Sequence, residues 1–241
     1  MRFTIDLNIN YIRSNDMNVN EIKPIIKKLP RLFFGFSLCA LGSLMMLYTD
    51  LGMNSWGILH KGISIQTGLT FGRVIQLIGL VVILINIPLG IMPGLGTLLD
   101  MYFVGLFIDI IDATGLLFVP ETFFGKFLLL FLGICINSQG IYLYLSAGLG
   151  AGARDGLMLG LMKKFNKPPS IIKTGIEVTV LIIGVVLGGP LGIGTIIITF
   201  CFGYTLEMAF KLGKWDMENI EQRNLKEDYI LVFKKHKNSQ A

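Results

Sequence analysis

Charged residues are scarce in this sequence of 241 residues, and their scarcity excludes a water-soluble fold. Only 15% of the residues are charged and 53% are hydrophobic, whereas a soluble domain usually carries about 25% charged residues. Of the 37 charged residues, 9 lie in residues 1–31 and 11 in residues 213–241, which leaves 17 for the 181 residues between them. That central segment cannot cover a water-facing surface. The composition therefore indicates a polytopic membrane protein with two short polar tails.

Cysteine and histidine are also rare, which argues against metal and cofactor chemistry. The two histidines, His60 and His236, form no H-E-x-x-H motif. The three cysteines lie inside apolar runs and show no C-x-x-C spacing: Cys39, Cys135 and Cys201. We therefore predict a protein that is not an enzyme and that binds no metal and no cofactor. We also predict no binding of nucleic acid, because the apolar composition leaves no folded soluble module to carry it.

Six apolar runs are long enough to cross a bilayer, which takes about 20 helical residues. They lie near residues 32–51, 72–90, 95–116, 124–147, 170–188 and 192–212. Two shorter helical segments, 53–66 and 151–166, separate span one from span two and span four from span five. As a helix, segment 53–66 reaches only about 21 Å, against about 30 Å of hydrocarbon. The expected fold is all-α, with six transmembrane helices and two half-helices that dip into the membrane or lie along its interface.

The sequence repeats itself at an interval of 98 residues. Within residues 32–111, 8 glycines coincide with a glycine 98 positions later, where chance predicts roughly 2. The pairs are Gly35/Gly133, Gly42/Gly140, Gly52/Gly150, Gly62/Gly160, Gly90/Gly188, Gly94/Gly192, Gly96/Gly194 and Gly105/Gly203. This register indicates an internal duplication, with residues 32–116 as the first repeat and 124–212 as the second.

Each repeat contains three spans, an odd number, so the second copy enters the membrane from the opposite side. We predict two inverted-topology repeats between cytoplasmic tails 1–31 and 213–241. This orientation places Arg154, Lys163, Lys164 and Lys167 on the cytoplasmic side, in keeping with the positive-inside rule. If both half-helices crossed fully, the chain would have eight spans and parallel repeats. The shortness and polarity of segment 53–66 favour six.

Several motifs resemble those of a known family. Residues 51–60 read LGMNSWGILH and residues 148–158 read GLGAGARDGLM. Residues 87–97 read IPLGIMPGLGT and residues 187–195 read LGGPLGIGT. Together they resemble the YczE branch of the YczE/YyaS/YitT family of bacterial membrane proteins, over residues 32–212. The resemblance implies a location in the bacterial cytoplasmic membrane.

Four charged residues are candidates for a functional site within the membrane, where an ionised side chain costs about 2.5–3.5 kcal/mol on insertion scales. Glu177 lies about two turns into span five, and Lys173 lies four residues earlier on the same helical face. Arg154 and Asp155 begin the second half-helix, directly after a glycine-rich bend. We predict that these four line a substrate or proton path. The alternative is an ion pair that locks the half-helix to span five.

The glycine-rich bends at 51–55 and 148–152 are a second candidate feature, because a bend of this kind exposes backbone N–H groups at a helix start. The alternative is close packing between helices, which glycine serves equally well. The candidate residues at the bends are Gly52, Asn54, Trp56, Gly150 and Gly152.

Other polar residues within the apolar runs are expected to form hydrogen bonds between helices: Gln76, Asn86, Asp100, Asn137 and Gln139. Asp109 and Glu207 occupy equivalent positions near the ends of spans three and six, where we expect them to reach water. The Asn86-Ile87-Pro88 run predicts a kink in span two.

The first functional hypothesis is a small transporter or permease for an unknown solute, with its path between the two repeats. The alternative is a non-transporting scaffold or accessory factor for a partner enzyme or exporter. The expected partners are the lipid bilayer and a small-molecule solute, and a second copy of the chain in a homodimer is compatible with either hypothesis. Tail 213–241, with Trp215 and the apolar run 229–233, is expected to lie partly helical on the membrane surface.

Overall fold

The computed structural model describes residues 19–150, 152–214 and 224–225, and within them the regular elements are eight helices and no strand. The helices are α1 (Val19–Leu47), α2 (Ser55–Thr67), α3 (Phe71–Asn86), α4 (Leu95–Ala113), α5 (Phe123–Leu145), α6 (Ala153–Phe165), α7 (Pro169–Val186) and α8 (Ile193–Leu212). The prediction of an all-α fold is confirmed. Most of the predicted C-terminal tail, including Trp215 and residues 229–233, lies outside the described residues.

In the part of the chain that the structure describes, four helices are long and apolar enough to cross a membrane: Ile25–Leu47, Phe123–Leu145, Pro169–Val186 and Ile193–Leu212. The pair α2 and α3, bent by 113° at their junction, passes the same criterion together and raises the number to five. Helix α3 has only 16 residues, or about 24 Å. Helix α4 has 19 residues but contains Asp100, Asp109 and Asp112. Length and composition therefore support a multi-pass membrane protein.

The helices recur at the interval seen in the glycines. Helices α2, α3 and α4 begin at Ser55, Phe71 and Leu95, and α6, α7 and α8 each begin 98 residues later. Both short helices, α2 and α6, have 13 residues and match the predicted half-helices closely. Helix α1 begins at Val19, well before the predicted start of the first span, and so includes part of the predicted N-terminal tail.

Glycines bring α1 and α5 into backbone contact. A Cβ atom on Gly35 would lie 2.9 Å from the carbonyl oxygen of Gly140, and one on Gly42 would lie 2.7 Å from that of Gly133. The later glycine of α1 meets the earlier glycine of α5, so the two helices are antiparallel. Gly35 and Gly42 are themselves the equivalents of Gly133 and Gly140. The contact is therefore reciprocal, each half offering the same two glycines to the other.

Three of the polar side chains expected to link helices do so. The Asn137 amide nitrogen donates to the Cys39 carbonyl oxygen at 2.9 Å, and that of Gln76 donates to the Tyr102 carbonyl oxygen at 2.8 Å. The Asn86 amide nitrogen donates to the Ala153 carbonyl oxygen at 2.8 Å. Asn86 is also the last residue of α3, so the run predicted to kink the span ends it instead. The physical reason is that Pro88 has no N–H to continue the helical ladder.

The glycine contact between α1 and α5 predicts that an added methyl group lowers the stability of the protein at Gly42 but not at Gly203. Gly42→Ala places a Cβ 2.6 Å from the Asn137 nitrogen, and such overpacking costs about 1–3 kcal/mol. Gly203→Ala is the matched control, because a Cβ there meets nothing within 4 Å. Thermal unfolding in detergent should show a lower midpoint for Gly42→Ala and no decrease for Gly203→Ala. Equal midpoints would contradict the tight α1–α5 packing.

Candidate functional site

Two glycine-rich bends join the halves of the molecule. The Gly194 N–H donates to the Leu51 carbonyl oxygen at 2.7 Å, and the Gly96 N–H donates to the Leu149 carbonyl oxygen at 2.6 Å. Each bend thus caps the start of α8 or α4 in the opposite half. The exchange satisfies amides that a helix start leaves without an intrahelical partner.

Gly52 and Gly150 are required at these bends for two reasons. Their φ angles are 106° and 129°, in a region that side chains disfavour. There is also no room for a side chain: a Cβ atom on Gly52 would lie 2.7 Å from the Gly192 nitrogen, and one on Gly150 would lie 2.8 Å from the Gly94 Cα. Gly52 and Gly150 therefore serve close packing between the two halves, and each lies two residues before the residue that caps a half-helix.

The two half-helices begin differently. Asn54 caps α2, and its side-chain oxygen accepts the Gly57 N–H at 2.7 Å. Gly152 caps α6 without a side-chain hydrogen bond, and the first turn of α6 contains Asp155. A carboxylate there complements the positive end of the helix dipole.

Arg154 lies on the face of Trp56, with the guanidinium carbon 4.6 Å from the ring centroid. The two residues are 98 positions apart, so equivalent positions of the two halves contact each other. Trp56 is buried, whereas Arg154 is exposed at the surface of the protein. A cation–π contact of this kind stabilises by about 0.5–2 kcal/mol, depending on desolvation.

Arg154 is the centre of the candidate charged cluster. It interacts electrostatically with Glu177 of α7 and with its neighbour Asp155, and Asp155 interacts in turn with Lys173. The structure thus brings all four predicted residues into one electrostatic neighbourhood. It does not bring them into contact: among the described residues, the ion pairs within 4.0 Å are Lys126–Asp50 and Lys211–Glu207, both elsewhere. The lysine and glutamate four residues apart on α7 form no close pair.

Two members of the site were not singled out from the sequence. Asp100, half-buried on α4, interacts electrostatically with both Arg154 and Asp155. The sequence shows only a carboxylate inside an apolar run, a pattern that also fits a residue that forms hydrogen bonds between helices. Asn86 is 4% exposed and holds the end of α3 to the first residue of α6. Its side-chain oxygen has no hydrogen-bond partner among the described residues.

Comparison with known proteins identifies the family. The DUF6198 family, described as a family of unknown function, matches residues 26–211, and the chain belongs to it. An uncharacterised protein of Haemophilus influenzae is 34% identical over 186 residues, which cover 77% of this chain and 84% of that protein. The uncharacterised membrane protein YczE of Bacillus subtilis is 33% identical over 179 residues, covering 73% and 82%. No solved structure shows significant similarity.

These relatives confirm the predicted resemblance to the YczE branch and agree with the apolar helices in the structure. The chain is a YczE-like, multi-pass membrane protein.

The contact between Trp56 and Arg154 predicts an energetic coupling between two residues far apart in the sequence. In a double-mutant cycle with Trp56→Leu and Arg154→Gln, we expect a coupling of about 0.5–2 kcal/mol in the free energy of unfolding. Denaturant unfolding in detergent measures it. Lys163→Gln replaces Arg154→Gln in the control cycle, since Lys163 lies in the last turn of the same helix. A coupling no larger than the control would contradict the assigned contact.

Proposed function

We propose that the protein transports a small solute across the bacterial cytoplasmic membrane, through a path between two inverted three-helix repeats. The observation that carries the proposal is the position of Arg154. It is an exposed charge at the start of a short helix, it lies on the buried Trp56 of the other half, and it has the carboxylates of Asp100 and Glu177 near it. Ionisable residues within the membrane face cavities or partners and mark solute and ion pathways. Inverted-repeat transporters bind solutes at discontinuous helices of this kind.

The inverted arrangement is supported by the direction of equivalent helices. Helices α1 and α5 occupy matching places in the two halves, and their glycine contacts run in opposite directions. The hydrogen bonds from Gly194 to Leu51 and from Gly96 to Leu149 are also equivalent: each half donates the same N–H to the same carbonyl oxygen of the other half. A two-fold axis in the membrane plane would produce both features.

Contacts between helix ends support six crossings and not eight. Asp50 follows α1 and Lys126 begins α5, and their side chains lie 3.9 Å apart. With six spans, the chain crosses the membrane twice between Asp50 and Lys126, so both residues lie on the same side and can pair. With eight spans, it would cross three times and the two residues would lie on opposite sides. The Leu225 N–H donates to the Pro93 carbonyl oxygen at 3.0 Å. Six spans place an even number of crossings between these two residues and eight spans an odd number, so this contact also favours six. With cytoplasmic termini, the first contact lies outside the cell and the second lies inside.

The chemistry of the cluster suits a polar solute. Arg154 and Lys173 supply positive charge, and Asp100, Asp155 and Glu177 supply negative charge. Because these charges are near one another without close pairing, their hydrogen-bonding groups are available to a charged or zwitterionic solute. A carboxylate of the cluster is also a candidate carrier for a coupled proton.

The proposal predicts that Glu177→Gln abolishes flux while the protein still inserts. The change removes the charge and keeps the shape, so activity should fall by about tenfold or more at unchanged expression. The measurement compares metabolite pools of cells that lack the protein, express it, or express the variant. Glu121→Gln, in the loop before α5, is the control and should behave like the parent. Pools that follow the presence of the protein but not Glu177 would favour the scaffold hypothesis.

The six-span topology predicts that residue 121 lies outside the cell. A Glu121→Cys variant should react with a membrane-impermeant thiol reagent in intact cells, whereas Lys167→Cys should react only after lysis. The parent protein provides the background from its own three cysteines. Labelling of Glu121→Cys only after lysis would overturn the inverted arrangement and favour eight spans.

A further inference from the structure

Helices α3 and α4 are sealed together at the end away from their connecting loop. The Asp109 carboxylate accepts the Thr70 O–H at 2.6 Å and the Gly72 N–H at 2.9 Å, so a residue of α4 caps the start of α3. Gly105 of α4 meets the backbone of Gly72 so closely that neither could carry a side chain. In the proposed topology this end faces the outside of the cell.

The equivalent helices α7 and α8 are apart. Gly203, the counterpart of Gly105, has room for a Cβ with nothing within 4 Å. Glu207, the counterpart of Asp109, pairs with Lys211 of its own helix at 2.7 Å. Ser170 and Thr174 are the counterparts of Gly72 and Gln76, which face α4; here both lie on an exposed face of α7. This end faces the cytoplasm in the proposed topology.

The residues on α7 and α8 are nevertheless suited to the same seal. Ser170 stands in place of Gly72, and its Cβ would keep the helices farther apart than Gly72 and Gly105. Glu207 stands in place of Asp109 and is longer by one methylene group, which compensates for the wider separation. The Ser170 hydroxyl can donate to Glu207 as the Thr70 hydroxyl donates to Asp109.

Helix α7 also carries two members of the charged cluster, Lys173 and Glu177. Any approach of α7 to α8 therefore moves these charges relative to Arg154 of α6. Closing the cytoplasmic end and rearranging the solute site would be one motion.

We propose that α7 is a mobile gate helix, and that Ser170 and Glu207 form its closed contact in a second state, in which α7 packs against α8 as α3 packs against α4 here. In that state the seal between Asp109 and the start of α3 is released. One unit built twice in opposite orientation then alternates between its two forms, as rocking-repeat transporters do. The proposal rests on the transport function proposed above and adds the residues of the gate.

Cysteine cross-linking of the full chain in native membranes tests the gate without knowledge of the solute. The background carries Cys135→Ser and Cys201→Ser and retains the buried Cys39. The gate pair is Ser170→Cys with Glu207→Cys, and the control pair is Ser170→Cys with Met208→Cys, since Met208 is 61% exposed on the next position of α8. Thr70→Cys with Asp109→Cys reports the closed outer seal. Mild oxidation followed by thiol counting measures disulfide formation within one chain.

We expect the gate pair to form at least about tenfold more intramolecular disulfide than the control pair, because a minor state that recurs accumulates product. The outer pair should also cross-link, because its residues are in contact. Should the gate pair prevent insertion, Thr174→Cys with Gly203→Cys replaces it with the same expectation.

A gate pair that reacts no more than the control, while the outer pair reacts fully, overturns the proposal. Disulfides that form only between two chains also overturn it and identify the α7 face as a contact between copies. Cross-linking at the gate with metabolite pools that ignore the protein would instead reject transport and leave the motion of α7 standing. Pools that depend on Glu177 without cross-linking would reject the gate alone.

Discussion

The close approach of α1 and α5 is the constraint on which the rest of the structure depends. Lipid is as apolar as leucine, so helices in a bilayer associate through packing and hydrogen bonds more than through hydrophobic burial. Gly35, Gly42, Gly133 and Gly140 let the two backbones touch. The Asn137 amide then reaches the Cys39 carbonyl oxygen across the same seam. Because the same two glycines of each half meet in reverse order, this contact also fixes how the two halves are related.

The two glycine-rich bends connect the halves at a second place, next to the charged cluster. Each half donates an amide from its last helix to the bend of the other half, through Gly194 to Leu51 and through Gly96 to Leu149. The half-helices that follow therefore start near the interface of the halves. At that place Trp56 and Arg154 meet, and one half contributes an aromatic face where the other contributes a charge. Symmetry of the backbone is thus combined with asymmetry of the side chains.

The charged cluster shows how far chemical reasoning from a sequence extends. Arg154, Asp155, Lys173 and Glu177 could be selected because an ionised group in an apolar run is costly and needs a reason. The structure places these four residues near one another, but Lys173 and Glu177 do not form a close ion pair. Helical spacing allows such a pair without requiring it, since accessible charges can be solvated instead. Asp100 joined the cluster only through the fold, because α4 brings it to Arg154 from another part of the chain.

The sequence by itself determined the all-helical class, the membrane setting, the two half-helices and the repeat at 98 residues. These depend on local hydrophobicity, helix length and the register of glycines, all of which are written along the chain. The tertiary structure alone decided that Arg154 rests on Trp56, that Asn86 holds the start of α6, and that α3 meets α4 while α7 and α8 stay apart. Those contacts join residues distant in sequence. They follow from crossing angles and packing between whole helices, which no periodicity within a single helix specifies.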